Sequence, residues 1–93
     1  MTADRVEAVT MLLTEAERAH GTYEANELGG VYDQHWADWY AAYAVEHGIG
    51  EVLGHDVSVD RLGPLLGTAF ADFEASGGGS WAPYVAQRIV AES

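Results

Sequence analysis

The chain has 93 residues, of which 48% are hydrophobic and 11% aromatic, with three Trp and five Tyr. That is room for one core and one domain, and the absence of Cys excludes disulfides and thiolate metal sites. Fifteen carboxylates against four Arg and no Lys give a net charge of -11, which repels phosphate backbones and anionic lipid and argues against direct nucleic-acid or membrane binding.

The start, Met-Thr-Ala-Asp-Arg, has no basic segment followed by an apolar run, and no stretch approaches the roughly 18 apolar residues that cross a bilayer. A soluble, cytoplasmic protein without a signal peptide is expected. The all-Arg basic set, with abundant Ala and Gly, fits a GC-rich bacterial genome.

Periodicity predicts four helices. The first opens near Thr2 or Asp4, where Asp4 and Glu7 have capping-box spacing, and carries the stripe Val6, Val9, Leu12, Leu13, Ala16, Ala19 and Tyr23. Gly21 weakens it by about 1 kcal/mol, the pattern resumes to Leu28, and Gly29-Gly30 stop it. Asp33 is the expected N-cap of the second, whose Trp36, Trp39, Tyr40, Tyr43, Ala44 and His47 share one face until Gly48. A connection follows. The third helix carries Leu62, Leu66, Ala69, Phe70 and Phe73, and Pro64 requires its N-cap to lie between Asp60 and Gly63. Gly77-Gly78-Gly79 end it, and Ser80 caps a fourth helix whose Trp81, Tyr84, Val85 and Ile89 face inward.

The halves echo one another. Leu12-Leu13 and Ala16 match Leu65-Leu66 and Ala69, while Trp36-Ala37-Asp38-Trp39-Tyr40-Ala41 matches Trp81-Ala82-Pro83-Tyr84-Val85-Ala86. The expected fold is all-α: one domain over residues 1–93, with a hairpin over about 3–48, a linker over 49–59 and a second, related hairpin over about 60–92, packed as a small bundle.

The runs His20-Gly21-Thr22-Tyr23-Glu24, Leu28-Gly29-Gly30-Val31-Tyr32-Asp33 and Trp36-Ala37-Asp38-Trp39-Tyr40-Ala41 resemble a small bacterial helical domain found alone and as an appendage of glyoxalase-like proteins. The resemblance covers the first half well and the second loosely. It implies a helical fold and carries over no catalytic residue, because that family has none assigned.

A hairpin brings the end of the first helix to the start of the second, so His20, Tyr23, Glu24, Asp33, His35, Trp36 and Trp39 are the candidate ligand or partner contacts. Glu17 and His20 have the Glu-x-x-His spacing of carboxylate-bridged metal sites, and Glu24 lies one turn on, so Glu17, His20 and Glu24 form a weak metal alternative to a site with no metal and no cofactor. Against it, His20 falls opposite Phe73 in the repeat, a core-facing slot from which a ring N–H reaches a carboxylate or carbonyl. His47 is expected to pack on its aromatic face, and His35 and His55 to be exposed. Trp36, Trp39, Tyr40 and Tyr43 read as core, as a pocket lining or as a partner face.

No nucleophile elbow or phosphate loop can be assigned. The leading functional expectation is therefore an acidic interaction module that binds a protein partner or a second copy of itself. Its alternative is a small metal-dependent or acid–base enzyme or ligand-binding protein centred on His20, Glu24 and His35. Mimicry of nucleic acid by the carboxylates ranks third, since they are spread over all the helices rather than set in rows.

Overall fold

The computed structural model describes residues 2–30, 33, 35–77 and 79–92. Val31 and Tyr32 of the first glycine turn and Gly78 of the second therefore lie outside the described residues, as do the side chains of Thr2 and Ala3. The described residues form five helices and no strand: α1 (Thr2–Glu27), α2 (Trp36–Glu46), α3 (Ile49–Leu53), α4 (Val59–Ala75) and α5 (Trp81–Glu92). None is long and apolar enough to cross a membrane.

The count of four helices needs correction. α3 forms inside the expected linker, held between Gly48 (φ 94°) and Gly54 (φ 81°), both left-handed. It buries Ile49 and Leu53 against α1 and α2. Five residues are too few for periodicity to register, so the apolar pair read as linker.

The cap positions also shift. α2 begins at Trp36, with His35 rather than Asp33 at its N-cap and no side-chain cap bond there, while one Asp33 oxygen accepts the His35 N–H just ahead of the helix. α4 begins after Ser58, whose hydroxyl accepts the Arg61 N–H at 3.3 Å, so Pro64 sits inside the helix instead of in its first turn. The lost N–H would have bonded the Asp60 carbonyl, and both residues are exposed, which leaves that carbonyl within reach of water. Gly63, expected at the helix boundary, is buried against α2: a Cβ there would come within 2.8 Å of Asp38 Oδ1.

α1 packs on α2 and α5, and α4 packs on the same two, so the four longer helices are arranged cyclically as α1, α2, α4, α5. The core inside them is Val9, Leu13 and Ala16, Tyr40, Ala41 and Ala44, Leu62, Leu66 and Ala69, and Ala82, Val85, Ala86 and Ile89, extended by Ile49 and Leu53. Alanine supplies much of it, which lets the helix axes approach and leaves most of the large rings half-buried around the core. Tyr84, expected to face inward, is exposed, with Ala82 and Ala86 taking the inner positions on α5. Arg88 ties α5 to α4 by its ion pair with Asp72.

Gly21 and Gly48 respond oppositely to the same substitution. At Gly21 a Cβ meets nothing within 4 Å and the backbone is helical, so Gly21→Ala stabilises by about 1 kcal/mol. At Gly48 the space is equally open but φ is 94°, so Gly48→Ala destabilises by about 1 kcal/mol or more. Urea unfolding of the two variants measures this, and a shift of the same sign in both contradicts it.

Candidate functional site

The site is built where α1 ends. His20 is 6% exposed and Asp33 8%, and they are the buried polar residues of the described chain. His20 Nε2 lies 2.9 Å from Asp33 Oδ2 across thirteen residues of sequence. A carboxylate oxygen can only accept, so this bond places a proton on Nε2. The other ring nitrogen, Nδ1, faces Glu24 Oε1 at 3.4 Å, one helical turn along α1. Both contacts become N–H donations only in the imidazolium form; the neutral ring keeps the shorter one.

Asp33 uses its remaining groups to shape the turn. Its Oδ1 accepts the His35 backbone N–H at 2.8 Å, which sets the chain into α2, and its own N–H points to Glu24 Oε2 at 3.4 Å. The His20 hydrogen bond holds the Asp33 carboxyl below the ordinary carboxylate range, against the opposing pull of burial, with the His35 N–H and the two imidazoles adding to the lowering. Around the His20 ring pack Trp39 and Tyr40, each 5.0 Å away between centroids, and Tyr23 at 6.0 Å.

In front of this pair opens a cleft of about 320 Å³ lined by Glu17, His20, Glu24, Trp36, Tyr40, Phe70 and Trp81. Four of these rings form a closed circuit of tilted or edge-to-face neighbours. Trp36 meets Tyr40 at 5.6 Å and 87°, Tyr40 meets Trp81 at 5.8 Å and 67°, Trp81 meets Phe70 at 6.2 Å and 73°, and Phe70 returns to Trp36 at 5.2 Å and 65°. The Trp81 indole N–H donates to Glu17 Oε2 at 2.7 Å, fixing α5 to α1 beside the cleft. Burial, reinforced by the charges of Glu17 and Glu24, pushes the Tyr40 hydroxyl up to about 12, so the phenol stays neutral.

Of the expected contacts, His20, Glu24 and Trp36 line the cleft, while Tyr23, Asp33 and Trp39 stand behind it and hold His20. His35 is exposed and joins through its backbone. His47 is exposed rather than packed in a core, stacked on Tyr43 at 3.9 Å with Nδ1 2.8 Å from the Tyr43 carbonyl, and His55 is exposed. Glu17 is turned to Trp81, and among the described residues no group of three His, Asp or Glu is placed to hold a metal ion. Phe70 and Trp81, from the second half of the chain, were not among the expected contacts. The one sequence feature that bears on them is the resemblance of the Trp81 run to the Trp36 run, which by itself speaks only of a repeat.

No protein-family model, curated protein or solved structure matches the chain.

Asp33→Asn isolates the buried pair. The lowered carboxyl stabilises the fold at pH values above its unfolded value near 3.8, and that contribution is lost as pH falls through the still lower folded value. The variant should therefore be less stable by about 1.5–3 kcal/mol near neutrality, with the gap to wild type closing at acid pH below that value. Chemical unfolding as a function of pH reads this; a gap that does not narrow in acid would contradict it.

Proposed function

We propose that this protein is a non-catalytic interaction module that binds a protein partner through the cleft and its acidic surround. The observation that carries the reading is the composition of the cleft: the half-buried rings of Trp36, Phe70 and Trp81 over the buried Tyr40, with Glu17 and Glu24 beside them, in a chain of strongly negative net charge. Trp and Tyr in a partly desolvated hollow are what protein contacts use for affinity, and carboxylates at the edge set the sign of the partner. Two copies, each carrying -11, repel, so a partner with basic side chains is favoured over self-association. An acid–base or metal-dependent role has less support, because both His20 nitrogens are turned to carboxylates and His35 stands outside the cleft.

The same reading treats the fold as two related hairpins that meet at the cleft. Repeat-related positions make related contacts: Trp39 packs on His20 as Tyr84 packs on Phe73, and Trp36 meets Phe70 where Trp81 meets Glu17. The cleft would then lie where two equivalent tryptophans converge, its acidic character arising because Glu17 stands where the other half has Phe70. Cytoplasmic location and a bacterial source accord with this reading as part of the proposal.

Immobilised wild type, Glu17→Gln and Trp36→Ala, each checked for helix content by circular dichroism, are compared for proteins retained from native extract of the source organism. The expected result is a retained set that is lost from both variants and from wild type at high salt. Identical sets on all three overturn the proposal.

A further inference from the structure

The four-ring circuit sets what can enter the cleft. With neighbouring centroids 5.2–6.2 Å apart, a point midway across the circuit lies within about 6 Å of all four rings, the range over which a cation is drawn to aromatic faces. None of the four arginines lines the cleft, and its ionisable lining groups are the carboxylates Glu17 and Glu24 and the imidazole of His20, which is turned to Asp33. We infer that the cleft is an aromatic cage for an alkylammonium group, above all a methylated one, held by Trp36, Tyr40, Phe70 and Trp81 and counterbalanced by Glu17 and Glu24.

Hydrogen-bond accounting selects ammonium over guanidinium. An Arg fork is best met by a carboxylate with two oxygens free side by side. Here the Glu24 oxygens face His20 and the Asp33 N–H, and one Glu17 oxygen already accepts from Trp81. What remains is negative potential without a bidentate acceptor, which suits a charge dispersed over methyl groups that donate no strong hydrogen bond. The neutral phenol of Tyr40 keeps a ring that is polarised rather than charged at the wall. A wider hollow of about 520 Å³ beside α3 offers no such chemistry, since its lining of glycines, acids and short side chains has no ring other than His55.

This inference rests on the reading of the cleft as the contact surface, and names the chemistry recognised there. Tryptophan fluorescence and calorimetry with tetramethylammonium and choline chlorides, against sodium chloride at matched ionic strength and against 3,3-dimethylbutan-1-ol as the uncharged isostere of choline, test it. Saturable binding of the cation is expected, with the neutral isostere at least about tenfold weaker, and with Trp36→Ala and Glu17→Gln each weakening the cation by about tenfold. Equal binding of the isostere, a response shared with sodium chloride, or unchanged affinity in Glu17→Gln overturns it; that last variant changes one exposed group and leaves the core intact. Choline and a trimethyllysine peptide then separate the two sources of the head group, a free amine or a protein side chain. Should tetramethylammonium fail while Glu17→Gln still strips proteins from the extract comparison, the cage falls and the interaction module stands. Should choline bind tightly with no difference in retained proteins, the module falls and the cage stands.

Discussion

A carboxylate removed from water needs a partner, and Asp33 finds its partner in His20, also buried, thirteen residues earlier in the chain. Left alone, the buried carboxylate would cost several kcal/mol and the imidazole would lose its hydrogen-bond partner; together they fasten the end of α1 to the start of α2. Everything at this end of the molecule follows from that attachment. The second Asp33 oxygen orders the entry into α2 through the His35 N–H, and that entry fixes where Trp36 and Tyr40 stand. His20, in turn, is the surface on which Tyr23, Trp39 and Tyr40 pack. The pair thus acts as a polar bolt in a ring-lined wall.

The second constraint is volume. An alanine-rich core brings helices close but has no room for indoles, so Trp36, Trp39 and Trp81 remain half-buried. Partly exposed rings carry a solvation cost that packing on one another reduces, and the edge-to-face circuit around the cleft does this. Acidic neighbours make the hollow electronegative as well as apolar. A hollow of both kinds favours a soft cation over a neutral ligand or an anion, which links the chain's charge imbalance to its aromatic excess.

Much of this was legible in the sequence, and the failures have physical causes. Period 3.6 marked α1, α2, α4 and α5, and the proximity of helix ends in a hairpin was enough to gather His20, Glu24, Asp33 and Trp36. Periodicity did not reveal α3, which owes its existence to two left-handed glycines and to burial of Ile49 and Leu53. Pro64 misplaced the start of α4, because an exposed proline in a second turn is tolerated where the freed carbonyl stays wet. Asp33 looked like the cap of α2, and one of its oxygens does accept the His35 N–H just ahead of that helix, but local pattern cannot show that the other is held by a buried imidazole. Phe70 and Trp81 reach the cleft through packing between the two halves of the chain, which no local spacing encodes; the echo between Trp36 and Trp81 speaks only of a repeat.

His20 and Asp33 act as one unit, and a double-mutant cycle over His20→Ala, Asp33→Ala and the double variant, followed by urea unfolding near neutral pH, tests this most directly. The two losses should be strongly non-additive, with a coupling energy of about 1–3 kcal/mol, because removing either partner already leaves the other buried and without it. Additive losses would contradict it, placing two separate buried groups where the structure has a single bolt.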